Sequence, residues 1–362
     1  MKARFNLQWL LSALGVAAVM LFMYWADRNL DPYKARLLNL WAINAVFAVT
    51  FNLIYGYTGQ FSLAHAGLAG VGAYTMALLT MSPTTKANMY LLEPPMWPVS
   101  VVQWPFLPSL LASGLVAALF GLIAGGPSLR LRGDYLVMAT FGFSEIVRIV
   151  ISGLPSITNG ALGLKNIPKI ANNAWAWGMV ILTVFVTKRL KESSYGRALR
   201  AIGGDEIAAE AAGVNLFSHK LLAFVVSAFF TGIGGALLAN LLTALEPKLF
   251  SSALTTGVIT TVVLGGIGSL TGNIIGSGIY TLLFELLRTL DQPWKLAGYT
   301  IPGRYGTRVF AISLVLLLMM LYYRRGLMGR NEFTWDAVFA RIRSVLTRGS
   351  ASSAETAEQG EA

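Results

Sequence analysis

The chain contains no cysteine. That absence excludes a disulfide framework, thiolate zinc sites, iron–sulfur ligation and a thiol nucleophile. Histidine is almost as scarce: only His65 and His219 occur, far apart, so no histidine-rich metal site is expected, and no cofactor. There is no Gly-x-x-x-x-Gly-Lys-Ser/Thr loop, so the chain has no phosphate cradle for hydrolysing ATP itself. Charge is short as well. Asp, Glu, Lys and Arg make up 12% of the 362 residues, against about 25% in ordinary soluble domains. A chain that is 55% hydrophobic has too little polar surface to cover a water-facing globule, and a bilayer removes that requirement.

What is present are apolar segments of helical length. A hydrocarbon core needs about 20 apolar residues in a helix. Such segments lie near 9–26, 37–55, 61–80, 109–126, 135–151, 174–187, 221–243, 254–270, 272–290 and 308–323. The fold class expected is therefore all-α and integral to a membrane, with about ten transmembrane helices. The first segment follows Lys2 and Arg4 like a secretory signal. It is longer than a signal's apolar core and ends in Tyr24-Trp25-Ala26-Asp27, an interface belt, so a retained helix is expected. Alternation from an inside N-terminus gathers Arg130, Arg132, Lys188, Arg189, Lys191, Arg197, Arg200, Lys220, Arg324 and Arg325 on the cytoplasmic side. The net charge of +11 is then an orientation signal for a membrane-embedded chain, with both termini cytoplasmic. It is no footprint of nucleic acid.

Residues 1–330 read as the membrane domain, with a long inner loop at 188–219. Residues 331–348 alternate apolar and basic positions, as a surface-lying amphipathic helix would, and 349–362 have the composition of a disordered tail. The outer stretches Glu93-Pro94-Pro95-Met96-Trp97-Pro98 and Trp104-Pro105 are either stiff loops anchored at the headgroups or a docking surface.

Glycine interrupts the third segment and the pair 254–270 and 272–290. Half-helix ends near a bilayer midplane can hold polar groups of a solute. The candidate pathway residues are Gly59, Gln60, Ser62, His65 and Gly67 in one break, with Thr260, Gly265 and Gly266 in the other. Close helix packing through small residues accounts for the same glycines. His65 is open to two readings, a satisfied buried histidine or a solute contact. Gly70-x-Gly72-x-Tyr74-Thr75 and Gly276-x-Gly278-x-Tyr280-Thr281 match as a short repeat. Two i,i+3 pairs, Glu145 with Arg148 and Glu285 with Arg288, can each neutralise themselves on one helix face near the outer ends. They suit a clamp at the outer mouth or a contact to an outer partner.

In the inner loop, Asp205 can cap a short helix and Gly213 suits its left-handed end. Between them, Glu206, Ala208, Ala209 and Glu210 belong to a rod slim enough to enter a groove on a partner. A solvated connecting helix fits the same residues.

Four stretches together resemble the branched-chain amino-acid permeases of ABC importers, in particular the second permease subunit. They are Gly56-Tyr57-Thr58-Gly59-Gln60-Phe61-Ser62-Leu63-Ala64-His65-Ala66-Gly67, Arg130-Leu131-Arg132-Gly133-Asp134-Tyr135-Leu136, Gly196-Arg197-Ala198-Leu199-Arg200-Ala201 with the run Asp205–Gly213, and Val263-Leu264-Gly265-Gly266-Ile267-Gly268-Ser269. The resemblance implies a type II-like importer permease fold in a bacterial inner membrane. It also implies a sister permease subunit, two ATPase subunits and a periplasmic binding protein as partners, and assigns the 205–213 run to ATPase coupling. The usual spacing from Glu-Ala-Ala to Gly is displaced here, which puts Glu206 forward for the Glu role. A urea or short-chain amide importer permease shares this architecture. A membrane-embedded enzyme would need several membrane-edge Asp, His or Arg residues for metal and phosphate. A carrier acting alone would need no helix for an ATPase.

Overall fold

The computed structural model describes residues 2–332, apart from 91–92, 292–293, 297–298, 302–305, 324–325 and 330. The expected amphipathic helix and the expected disordered tail lie outside the described residues, save for 331–332. Helix α1 spans Lys2–Asn29 and α2 spans Pro32–Thr58. Pro32 opens α2 where its missing N–H costs nothing. Gly59 closes it in the left-handed region at φ 69°, its N–H returning to the carbonyl of Tyr55. Helix α3 (His65–Thr80) and α4 (Pro83–Met89) follow, then α5 (Phe106–Ser128), α6 (Asp134–Ser152) and α7 (Pro155–Thr158).

The second half holds α8 (Asn173–Glu192), α9 (Ser194–Gly204), α10 (Glu206–Ala211) and α11 (Leu216–Leu242), followed by α12 (Ser252–Gly265), α13 (Leu270–Leu286) and α14 (Thr307–Tyr322). Side chains of Asn172, Ser193, Asp205, Asn215 and Ser269 each accept an orphan N–H at a helix start. Strands β1 (Trp294–Leu296) and β2 (Tyr299–Ile301) form a small antiparallel hairpin between α13 and α14.

Each apolar segment expected from the sequence overlaps one of these helices, but 254–270 runs across the break that ends α12 at Gly265, and 272–290 runs past the end of α13 at Leu286. Among the described residues, α2, α5, α6 and α11 are individually long and apolar enough to cross a membrane. Helices α12 and α13 pass the same test only as a pair, bent by 120° at the break between them. The sequence placed α3 from residue 61. Its helix begins at His65 because 59–64 leave helical geometry, so its 16 residues span only about 24 Å.

Helix α11 is the hub, packed between α2, α3 and α5. These crossings are close because they are made on glycine. A methyl on Gly72 would run into the Gly232 backbone, and one on Gly235 into the carbonyl of Ala69. Polar residues inside the hub bond locally or to one another: Ser227 donates to the Thr50 carbonyl at 2.9 Å, and Thr231 to the Thr50 hydroxyl at 3.2 Å. Around the hub, α5 and α6 expose Leu115, Ile123, Met138 and Ile146, so their outer faces are apolar, as a lipid-facing surface is.

The ends of the helices sort into two faces. One holds the C-terminal ends of α2, α5 and α8, the helices α9 and α10, and the α12–α13 turn. They are joined by ion pairs between Arg132 and Glu206 and between Lys191 and Glu332. The opposite face joins Asp27 to Asn173, Tyr33 to Glu285, and Leu164 to Leu245. There the stretch 96–104 is held by Lys86, whose ammonium donates to the carbonyls of Val99 and Val102 at 2.9 and 2.6 Å. Burial pushes the Lys86 pKa below its usual value.

The hub predicts its own sensitivity. Gly72→Ala forces a backbone shift at the α3–α11 crossing and should cost about 1–3 kcal/mol, read as a lowered thermal midpoint of the purified protein. Gly142→Ala, where an added Cβ meets nothing within 4 Å, should leave that midpoint unlowered or raise it slightly, since alanine is the better helix former.

Candidate functional site

The inner loop forms two short helices in series. Asp205 ends α9 and begins α10, its carboxylate accepting from the N–H groups of Ile207 at 2.8 Å and Ala208 at 3.1 Å. Gly213 adopts φ 82°, in the left-handed region, and turns the chain into α11. Ala209 is the buried side of α10, while Ala208 and Glu210 are exposed and Ile207 stands 73% exposed. Ile207 was not singled out from the sequence; an isoleucine among alanines in a helix expected to meet a partner was the available signal for an exposed apolar side chain here.

Charge fastens this rod to the membrane helices. Glu206 takes a hydrogen bond from the ammonium of buried Lys220 at 2.5 Å, and Arg132 reaches Glu206 and Glu210 at 3.6 Å each. Arg130 lies over the ring of Phe217. These groups line a cavity of about 610 Å³ between the loop after α5 and the start of α11. The segment 130–132 and the segment 205–213 therefore share one face.

Helix α9 carries the loop to the first glycine break. A Cβ on Gly203 would stand 2.5 Å from the carbonyl oxygen of Tyr57, and one on Gly59 would stand 3.7 Å from Gly203. At Gly203 no side chain fits against the end of α2, while at Gly59 it is the φ of 69°, not a clash, that favours glycine. From Gly59 the chain leaves helical geometry through Gln60, Phe61 and Ser62 until His65 restarts it as α3.

The restart is tied to its neighbours. The N–H groups of Leu63, Ala66 and Gly67 donate to the hydroxyls of Thr140, Thr255 and Ser144 at 3.0, 3.0 and 2.9 Å. The sequence suggested open half-helix ends here. These three donors are instead taken by hydroxyls from α6 and α12. Thr140 and Ser144, one turn apart, were the signal available for this. Gln60 is 3% exposed, and neither of its amide atoms has a hydrogen-bond partner among the described residues. His65 is fully buried, its Nε2 3.5 Å from Ser227 Oγ and its Nδ1 unpartnered. Phe51 packs edge-on against Phe61 and His65, and Tyr55 edge-on against Phe61. Ser62 is buried and bonds the N–H of Ala64.

The second break lies on the same face. Gly266 takes φ 114°, and Gly265 meets the backbone of Gly272 and Gly276 so closely that a methyl would not fit. Gly268 N–H donates to Asn52 at 2.7 Å, and Tyr57 Oη donates to the Gly268 carbonyl at 3.3 Å. The second break is thus bonded to α2, the helix that ends at the first break. Thr260 is buried in α12, one turn before Gly265, and Asn273 is buried with both amide atoms unpartnered. In the short repeat Gly70 matches Gly276 and Gly72 matches Gly278; a Cβ on Gly72 or Gly276 would meet a neighbouring helix backbone, and one on Gly278 the ring of Trp41.

The intramembrane pairs form on the opposite face. Arg148 donates to Glu145 at 2.7 Å, and Arg288 to Glu285 at 3.0 Å, with Tyr33 donating to Glu285 at 2.8 Å. Glu285 lies in the last turn of α13, away from the second break, whereas Glu145 follows Ser144, whose hydroxyl receives the Gly67 N–H. Among the described residues no cluster of His, Asp and Glu could hold a metal.

Comparison with known proteins gives this geometry a family. The chain is 32% identical over 284 residues to the high-affinity branched-chain amino acid transport system permease protein LivM of Salmonella typhimurium, covering 69% of this chain and 62% of that one. LivM of Escherichia coli matches to the same extent. The chain therefore spans less than two thirds of the length of these relatives. LivH of Salmonella typhimurium is 23% identical over 80% of this chain and 92% of its own. The ribose import permease protein RbsC of Haemophilus influenzae is 25% identical over 62% of this chain and 71% of its own. No solved structure matches. The family described as "Branched-chain amino acid transport system / permease component" matches residues 34–323, and the chain belongs to that family.

Proposed function

We propose that the chain is the membrane-spanning permease subunit of an ABC importer for branched-chain or other hydrophobic amino acids. In this reading a periplasmic binding protein delivers the solute, a sister permease completes the pathway, and two separate ATPase subunits drive it. The fold is type II-like, with about ten spans and both termini on the cytoplasmic side of a bacterial inner membrane. The observation that carries the reading is the contact of α9 with the glycine break at Gly59, which sets the inner loop directly under the candidate pathway.

The mechanism follows from that contact. Helix α10, with Ile207 exposed, enters a groove on an ATPase. Because Asp205 caps α10 while ending α9, a push on one moves the other. Gly203 bears on the Tyr57 carbonyl with no compliant side chain between them. The displacement reaches the 59–64 stretch, and through the hydroxyls of Thr140, Ser144 and Thr255 it reaches α6 and α12. Nucleotide binding thereby biases a two-state arrangement of the breaks.

The solute reading rests on residues at the two breaks. Phe51, Tyr55 and Phe61 form an apolar wall suited to an aliphatic side chain. Gln60, His65 and Asn273 place unpartnered polar atoms in buried surroundings. A buried polar group without a partner costs about 1–3 kcal/mol, and the ammonium and carboxylate of an amino acid supply complementary partners. Urea has no aliphatic part to fill such a wall.

In proteoliposomes holding the whole complex, leucine uptake should require the binding protein and ATP. Uptake of urea or ribose in its place, or leucine uptake without any ATPase, would overturn the assignment. Glu206→Arg sets a cation against Lys220 and Arg132. It should lower ATP hydrolysis stimulated by loaded binding protein about tenfold or more, since charge-assisted hydrogen bonds contribute about 1.5–3 kcal/mol, and leave membrane insertion intact. Undiminished stimulation would remove 205–213 from coupling. Gly265→Leu should abolish uptake while the ATPases still assemble, and normal uptake would take the second break out of the pathway.

A further inference from the structure

The strap formed by residues 326–329 and 331–332, which follows α14, lies in the break between α12 and α13. Its backbone replaces the helical bonds that the break gives up. The N–H of Leu327 donates to the carbonyl of Leu264 at 3.0 Å, and that of Met328 to Gly265 at 3.2 Å. Gly326 packs on Gly266 so closely that a Cβ would stand 2.6 Å from its Cα. Buried Ser269 donates to the carbonyl of Asn331 at 2.7 Å.

Glu332 does more than finish the strap. Its carboxylate accepts from the N–H groups of Leu270 and Thr271 at 3.2 and 3.3 Å and from the Thr271 hydroxyl at 3.3 Å, so it caps the start of α13. The same carboxylate takes a 2.7 Å bond from Lys191, with both side chains about a quarter exposed or less (21% and 25%). Lys191 stands over the ring of Tyr57 and sits in the last turn of α8, just before the serine that caps α9. One carboxylate therefore joins the second break to the helix that leads into α9 and α10.

We propose that Glu332 is a positioning residue for transport: it fastens the α12–α13 break to α8 through Lys191, so that movement of the inner loop is passed to both breaks together. This rests on the importer reading above. Without the Glu332–Lys191 bond, α9 still bears on Gly59 and α2 still bonds Gly268, but the tie from α8 to the start of α13 is lost and the second break follows less fully.

The absence of native cysteine makes the test direct. Ser269→Cys is nearly isosteric and places a thiol beneath the strap. In inverted membrane vesicles holding the complete complex, Glu332→Gln should raise its alkylation by a membrane-impermeant maleimide about tenfold. Lys191→Met should do the same, and the double variant should show no further increase. Glu332→Asp should restore slow alkylation and uptake, while Glu332→Gln lowers the solute moved per ATP hydrolysed without lowering the ATPase rate to match. Unchanged alkylation in Glu332→Gln, additive effects in the double variant, or an uptake-to-ATP ratio equal to that of the parent would each overturn the proposal. The alkylation arm needs no particular solute, so a different transported substrate would defeat the importer's assignment and leave this result standing.

Discussion

The backbone-to-backbone approach of Gly203 to Tyr57 and Gly59 is the constraint on which the rest depends. A side chain at this crossing would act as a soft spacer, able to change rotamer and absorb motion. Glycine leaves none, so α9 and the end of α2 must shift together. The Glu206–Lys220 pair then fixes α10 to the start of α11, which is the hub of the bundle. One short loop thereby reaches the centre of the molecule by one electrostatic and one steric route.

The breaks themselves are stable because their backbone groups are satisfied without helix. An interrupted helix in an apolar slab leaves donors and acceptors that water cannot reach. Hydroxyls from α6 and α12 take the donors at the start of α3, and strap N–H groups take the last carbonyls of α12. These partners lie on other helices, so the breaks cannot rearrange alone. Among the described residues, buried polar atoms without partners stand at the two breaks, on Gln60, His65 and Asn273, and also away from them, on Asn39, Tyr74 and Asn173.

Much of the architecture was legible in the sequence because its physics is local. Apolar length marked the helices, Asp205 and Gly213 marked the ends of α10, and i,i+3 spacing marked the Glu145–Arg148 and Glu285–Arg288 pairs. Long-range contact was not legible. Nothing in the order of residues says that Gly203 meets Tyr57, that Thr255 bonds Ala66, or that Glu332 caps α13. The start of α3 was placed too early because Phe61, Leu63 and Ala64 are apolar enough to continue a helix. What ends the helix is Gly59 in the left-handed region and the hydroxyls that receive the freed N–H groups.

The account stands on motion passing from 205–213 into 59–64. Hydrogen–deuterium exchange on the complete complex, with and without bound nucleotide, measures both stretches at once. The account predicts that nucleotide protects the amides of α10 and, in the same states, changes exchange at residues 59–64. Protection of α10 with exchange at 59–64 unaltered would contradict it.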